Sequence, residues 1–290
     1  MKPVDIFLAV FFPVTWGLGF TLAKMAFVTV EFPPILLMAF RFAVAALALA
    51  LLVKPPWGSM WRIFWISVIG ATIQYSLAFT GLNGLDASTA IIVIKLDVPF
   101  AAILAAVFLK DPLGWRRTFG LVLAFMGVVL IAGQPRLQGH LVPVFLVVGG
   151  ALAWAVGQVM VKTLDGRVGG FTLIAWVAIF AAPQLFVSSW LFEDGQIEAV
   201  ATAGWIAWGV VLYMGLVMTA LGYAIWYYLL GKYPITQVMP YLLLVPVVVV
   251  GASMAILGES LGLTEVAGSA IVIGGVAIII THKPPPETPT

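Results

Sequence analysis

Arg41, Lys95 and Asp97 each sit inside a long apolar run. An ionisable side chain in such a run costs about 2.5 to 3.5 kcal/mol on membrane-insertion scales, so each must face a bundle interior and find a partner there. The same runs are rich in aromatic side chains with a polar tip: Trp16, Tyr75 beside Gln74, Trp154 with Gln158 one helical turn on, Trp176, and Tyr223, Trp226 and Tyr227. Indole and phenol rings build an apolar wall with a hydrogen-bonding edge, glutamine both donates and accepts, and lysine meets a carboxylate. Such a set suits recognition of a small amphipathic molecule. Covalent chemistry is poorly served. The chain has no cysteine, His140 and His282 lie outside the apolar runs, and neither paired acids nor a serine with an adjacent base occurs at depth. Gly17-Leu18-Gly19 is not a dinucleotide fingerprint, since no strand precedes it and Leu22 stands where the third glycine belongs, and no Walker A pattern is present. The expectation is a binding protein rather than an enzyme, with no cofactor and no metal.

The elements that must position these residues follow from composition. Of 290 residues, 63% are hydrophobic and 9% charged, with mean hydropathy +1.14. A soluble domain carries about 25% charged residues. Too little polar surface remains to cover a soluble globule, so lipid is the solvent for most of the exterior. A net charge of +2 and the lack of a basic run exclude a nucleic-acid partner. Apolar runs bounded by Pro, Gly and charges fall at about 5 to 28, 33 to 53, 62 to 82, 87 to 109, 115 to 133, 141 to 162, 170 to 191, 204 to 230, 235 to 257 and 264 to 281. They are apolar on all faces, which argues for helices and against the alternating strands of a barrel. The first run has no A-x-A-like cleavage site and reads as a retained helix. The predicted fold is an all-α integral membrane protein of ten transmembrane helices.

Basic residues orient it. With the N-terminus inside, Lys2, Lys54, Arg62, Lys110, Arg116, Arg117, Lys162, Arg167, Lys232 and Lys283 collect on the cytoplasmic side and Arg136 alone on the other. Both termini are then expected on the cytoplasmic side of the membrane. Trp57, Trp61, Trp65 and Trp115 form one interfacial belt and Trp190, Trp205 and Trp208 the other. Arg41, Lys95 and Asp97 lie about eight to ten residues below the start of their spans, at a common depth. Residues two apart on a helix point roughly 200° from each other, so Lys95 and Asp97 should face different neighbours. The reading pairs Arg41 with Asp97 as a structural ion pair and turns Lys95 toward a pathway. A fixed pair that only orients helices fits equally, as helix-to-helix packing does for the aromatic residues.

The second half repeats the first. Trp16, Gly19 and Lys24 recur as Trp154, Gly157 and Lys162, and Leu109 to Gly133 matches Leu257 to Thr281 at Leu109, Leu113, Gly114, Gly120, Gly127, Val128 and Ile131, with Asp111 facing Glu259. Five spans is an odd number, so residues 138–290 must enter the membrane from the opposite side to residues 1–137. Inverted repeats place a ligand site near the midplane at the repeat interface. Pro99, Pro240 and Pro246 interrupt the equivalent fourth and ninth spans and, with Gly19 and Gly157, are candidate hinges or static kinks. The acidic stretch from Glu193 to Glu198 reads as a solvated loop, and the Pro-rich tail from about 284 as disordered.

Trp16-Gly17-Leu18-Gly19-Phe20 with Lys24, Ala39-Phe40-Arg41-Phe42, Pro99, and Phe108-Leu109-Lys110-Asp111-Pro112-Leu113 resemble the first repeat of the EamA type of the drug/metabolite transporter superfamily. Ala153-Trp154, Pro246 and Gly258-Glu259-Ser260-Leu261 resemble its second repeat. Asp111 departs from the glutamate usual in that pattern. Within the superfamily the chain is most similar to the YddG-type aromatic amino acid exporters of bacterial inner membranes. The resemblance implies a secondary transporter, working as a single chain among lipids, that exports aromatic or large apolar amino acids and related metabolites by alternating access. The expected substrate site comprises Trp16, Gln74, Tyr75, Lys95, Trp154, Gln158, Trp176, Tyr223 and Tyr227, with the Trp pair as the wall and Lys95 toward the carboxylate. The competing readings are exchange of nucleotide sugars or phosphorylated sugars, which calls for clustered cations, a channel, and a membrane protein that transports nothing.

Overall fold

The computed structural model describes residues 1–108, 114–133, 141–164, 166–233 and 238–281. Within them the chain is helical throughout, without a strand. Ten helical spans follow in order: α1 (Pro3–Thr29), α2 (Pro34–Ala50), α3 (Trp57–Asn83), α4 (Ala87–Phe108), α5 (Trp115–Ala132), α6 (Leu141–Lys162), α7 (Gly170–Phe192), α8 (Trp205–Leu212 continuing through Lys232), α9 (Met239–Leu243 continuing through Leu257) and α10 (Leu263–Thr281). Eight are long and apolar enough to cross a membrane, and α2 and α9 contribute shorter apolar helices. Prolines at the first turns of α1 and α2 supply a preset backbone angle where no intrahelical donor is needed. The end of the bundle at which α1 starts is called basal below, and the opposite end apical.

Four spans are irregular, and in two of them proline is the cause. Within α4 the helix runs from Ala87 to Ile94, breaks, and resumes from Asp97 to Phe108. Pro99 has no N–H for the Lys95 carbonyl four residues back, and its ring would crowd that carbonyl. The Lys95 carbonyl instead accepts from the Val98 N–H at 3.3 Å, a tighter turn that ends one helix and starts the next. The same logic acts in α9, where Pro246 denies a donor to Leu242 and a 3₁₀ turn, Met239–Leu243, precedes Leu244–Leu257. The other two irregular spans hold π-helical stretches, Val68–Ile73 in α3 and Tyr213–Leu221 in α8. These widen the helix and leave backbone carbonyls available to outside donors.

Between helices that meet in an apolar solvent, close backbone approach replaces hydrophobic driving force, and glycine permits it. A Cβ on Gly157 of α6 would lie 2.6 Å from the Gly70 Cα of α3. On α5 and α10 the approaches are reciprocal: a Cβ on Gly120 would lie 2.7 Å from the Gly275 carbonyl oxygen, and one on Gly127 would lie 2.8 Å from that of Gly268. Gly19, expected as a hinge, lies against the flexible tip of Met218. The interior between α1, α2, α3, α4, α6, α7 and α8 is lined by Phe20, Phe27, Phe42, Tyr75, Phe79, Ile91 and Met218.

Candidate functional site

Two cavities meet at mid-depth and share Tyr75 and Trp154 as a common wall. The deeper, about 500 Å³ with its mouth, is lined by Trp16, Phe20, Gln74, Lys95, Asp97 and Val245 among others. The second, about 560 Å³ with its mouth, extends toward the basal end past Phe42, Gly157, Gln158, Val161, Leu173 and Tyr223. Irregular backbone surrounds both. The α4 break carries Lys95 and Asp97, the α3 π-stretch leads into Gln74 and Tyr75, and the α8 π-stretch is held by the walls themselves. The Trp16 indole N–H donates to the Met218 carbonyl at 3.0 Å, and the Tyr213 hydroxyl donates to the Thr15 carbonyl at 3.1 Å. Trp16 also meets Tyr223 edge to face at 5.4 Å and Phe12 at 5.3 Å, which fixes its plane.

The charges are arranged otherwise than expected. Asp97 faces Lys95, with Oδ2 3.8 Å from Nζ, and does not face Arg41. The argument that residues two apart diverge assumed a continuous helix, and the Pro99 break removes that assumption. Arg41 is fully buried in a cage of its own. Its Nε donates to the Thr219 hydroxyl at 2.9 Å, its Nη2 to the Tyr75 hydroxyl at 3.4 Å, and its guanidinium lies 4.7 Å from the Tyr75 ring centre and 5.3 Å from that of Phe42. Cation–π attraction in a desolvated place reaches about 2 kcal/mol, enough with the hydrogen bonds to hold the charge without a carboxylate. Thr219 in turn donates to the Met214 carbonyl five residues back, the spacing of the π-stretch. Arg41 therefore ties α2 to α8 and orients a cavity wall.

The two ends of the bundle differ. At the apical end α3 stops at Asn83 and α4 starts at Ala87, leaving carbonyls and N–H groups without helical partners. Lys24 of α1 donates to the Leu82 and Asn83 carbonyls at 3.2 and 2.7 Å. Glu259, beyond the end of α9, accepts from the Ala87 N–H at 2.7 Å, the Ser88 N–H at 3.1 Å and the Ser88 hydroxyl at 2.7 Å. A cation at a helix C-terminus and a carboxylate at an N-terminus each match the helix dipole. Glu193 does the same for α2, accepting from the Ile35 and Leu36 N–H groups at 2.6 and 2.9 Å and from the Ser189 hydroxyl at 2.8 Å. This corrects the solvated-loop expectation: Glu193 is half-buried, burial pushes its carboxyl above the usual range, and a short helix, Gln196–Thr202, follows. At the basal end Asp5 accepts from Lys232, Tyr228 and Tyr233 at 2.9, 3.1 and 2.6 Å, linking α1 to α8. Lys162, which the repeat equates with Lys24, is exposed there.

Of the expected substrate contacts, Trp16, Gln74, Tyr75, Lys95, Trp154, Gln158 and Tyr223 line one or both cavities. Trp176 does not: its indole donates to the Lys54 carbonyl at 3.3 Å and its ring meets Phe180. Its place near the start of α7 makes it part of the basal rim. The Tyr227 and Pro240 side chains, Asp111 and the tail from 284 fall outside the described residues. Sequence reasoning missed Thr219, the two π-stretches and the capping roles of Lys24, Glu193 and Glu259. Lys24 and Glu259 stood among repeated positions, and that was their only signal. Gln184, bonded to the Ser67 and Thr72 hydroxyls beside the α3 π-stretch, had none.

Comparison with known proteins bears on this arrangement. Residues 4–133 and again 141–281 match the EamA-like transporter family. A "Probable amino-acid metabolite efflux pump" of Salmonella typhimurium is 29% identical over 96% of this chain and 95% of its own, and an Escherichia coli protein of the same name is 28% identical over 96% and 95%. A "Probable terminal-alkyne amino-acid exporter" of Streptantibioticus cattleyicolor is 25% identical over 82% of this chain and 81% of its own. A solved crystal structure, 17% identical and covering 96% of both chains, superposes with a TM-score of 0.64, a likeness of fold.

Proposed function

Because the chain belongs to the EamA-like transporter family, we propose that it is a secondary transporter exporting amino acids, aromatic or large apolar ones above all, and related amphipathic metabolites by alternating access. The observation that carries the reading is the mid-depth cavity itself. It joins the Trp16, Tyr75 and Trp154 rings to the charges of Lys95 and Asp97 at a break in a helix. A few placed polar groups in an aromatic wall match an apolar side chain with a zwitterionic head. They match a polyanionic sugar phosphate poorly, since Lys95 is the one cation among the described lining residues and Asp97 already faces it.

Alternating access rests on residues 1–137 and 138–290 being inverted repeats. Two features support that relation. Breaks occur in α4 and α9 and π-stretches in α3 and α8, the corresponding spans of each half. On α5 and α10, exchanging the halves turns the Gly120–Gly275 contact into the Gly127–Gly268 contact, as a twofold axis between them requires. The axis lies in the membrane plane, with Pro99, Pro246 and Gly157 near the moving joints. In our reading the basal end is cytoplasmic, following the Lys and Arg bias, so the cavity that reaches the basal third is loaded from inside while Lys24 and Glu259 hold the apical end shut.

Counterflow in proteoliposomes tests this reading. Labelled phenylalanine or tryptophan should move saturably and faster with unlabelled substrate on the far side, and Trp154→Ala or Gln158→Ala should cut the flux in protein that remains folded. Unchanged flux in both variants refutes the site, flux indifferent to trans substrate indicates a channel, and selective exchange of phosphorylated sugars refutes the substrate class.

A further inference from the structure

We propose that the Asp97 carboxylate and the Gln74 side-chain carbonyl together receive the ammonium group of the cargo, so the site selects for a free amine ahead of a free acid. The inference rests on the amino-acid reading above and names which end of the molecule is held by what. Gln74 and Asp97 are 7% and 8% exposed, and both line the deeper cavity. Gln74 Oε1 and Asp97 Oδ1 are each buried without a hydrogen-bond partner. A native fold rarely leaves such atoms unpaired, and two of them on residues that line one cavity mark a place completed by something else. Both atoms are acceptors. An ammonium carries three donors and no acceptor, whereas a carboxylate or phosphate would set oxygen against oxygen.

The surroundings agree with a cation there. Lys95 Nζ, at 3.8 Å from Asp97 Oδ2, is close enough to balance charge and too far to hydrogen-bond, so the carboxylate keeps its acceptor capacity. The first half of α4 ends at Ile94, itself a lining residue, which brings the negative end of that helix to the cavity. Lys95 is then left for the cargo's carboxylate, and it lines the same cavity as Trp16 and Trp154. Of the two charges, sequence logic had assigned Lys95 to recognition and Asp97 to structure, with Gln74 already among the expected substrate contacts. The geometry puts recognition of the amine on Asp97 and makes the carboxylate the weaker handle.

Three ligands of one carbon skeleton separate these roles: phenylalanine, phenethylamine without the carboxylate, and 3-phenylpropionate without the amine. Each is measured on the purified full chain, both as a competitor of labelled phenylalanine counterflow and by its effect on melting temperature. Phenethylamine should compete nearly as well as phenylalanine. Losing a charge-assisted hydrogen bond is worth on the order of ten- to hundredfold in affinity, so 3-phenylpropionate should be weaker by about that factor. Asp97→Asn should weaken both amines by a similar factor and hardly affect 3-phenylpropionate. Gln74→Glu, which adds a second carboxylate, should tighten phenethylamine, and with Gln74→Leu it provides a test even where Asp97→Asn does not fold. Equal competition by 3-phenylpropionate and phenylalanine, or a ligand ranking unmoved by both Asp97→Asn and Gln74→Glu, overturns the assignment. Failure of phenylalanine counterflow, with phenethylamine still raising the melting temperature of the wild type only, would remove the transport reading and leave the ammonium site standing.

Discussion

Glu259→Gln should loosen the apical end without unfolding the protein. The carboxylate accepts three hydrogen bonds, two from the first N–H groups of α4 and one from the Ser88 hydroxyl, and so fastens the end of α9 to the start of α4. Glutamine keeps one acceptor oxygen but loses the charge and the second acceptor, and its NH₂ would face N–H donors. Bonds to charged groups contribute about 1.5 to 3 kcal/mol against roughly 0.5 to 1.5 for neutral ones, so the net loss is about 2 kcal/mol, or about thirtyfold in the ratio of closed to open apical ends. The assay uses the absence of native cysteine. Ile94→Cys places a thiol in the deeper cavity, and a membrane-impermeant maleimide added from the apical side reports on opening. Labelling should accelerate by about that factor when Glu259→Gln is added, and Lys24→Met, which removes the donor to Leu82 and Asn83, should act in the same direction. Unchanged labelling in both backgrounds, with the protein folded, would refute the idea that these caps hold the apical end shut.

Other expectations concern packing and charge. Arg41→Gln and Thr219→Val should show a coupling of about 0.5 to 3 kcal/mol in a thermal-stability cycle, while Arg41→Gln and Asp97→Asn should be additive; the reverse pattern would restore the Arg41–Asp97 pair. Gly157→Ala meets the Gly70 backbone and should cost about 1 to 3 kcal/mol, whereas Gly209→Ala, with nothing within 4 Å, should be nearly neutral, and equal melting temperatures would show that α3 and α6 can part freely. Because burial raises the Glu193 carboxyl above its ordinary 4.5, the folded state holds that proton to higher pH than the unfolded chain does. Its contribution is therefore complete below about 4.5 and lost as pH rises through the raised value, so Glu193→Gln should flatten the fall of melting temperature across weakly acidic pH. An identical slope in both proteins would contradict this.

The spans and most cavity residues were legible because lipid imposes long apolar runs, and because an aromatic or charged residue at mid-depth has few places to go. Pro99 also announced the break in α4, but its consequence was misjudged. A proline ends the i to i+4 pattern at the carbonyl four residues earlier, and that carbonyl belongs to Lys95. Any inference about relative directions across residue 95 had to use a broken helix. The π-stretches were illegible for a different reason. No residue type enforces a π-turn; here it is held by distant partners, namely the Trp16 indole on Met218 and Arg41 on Thr219, separated by 202 and 178 positions in the chain. Single-chain periodicity cannot contain that information.

A repeated sequence with unequal ends also fits the physics of the carrier proposed above. If both halves formed the same contacts at once, both ends would be closed and the cavity sealed. Lys24 is buried and bonded to a helix end while its counterpart Lys162 is exposed, and Glu259 caps α4 at the apical end. The halves thus share residues yet differ in which contacts are made, which is the asymmetry that the proposed alternating access requires. The repeat does not reproduce the basal link from Asp5 to Lys232: in the register of Trp16 and Trp154, Pro143 stands where Asp5 would recur, packed without charge against Gly84 at the apical end. At the basal end a buried carboxylate with three donors, Lys232, Tyr228 and Tyr233, makes the link, whereas the apical contact is helix packing reinforced by caps. The two ends of the proposed carrier are therefore closed by different kinds of contact, a buried carboxylate with its donors at the basal end and caps with packing at the apical end, and they need not open with equal ease.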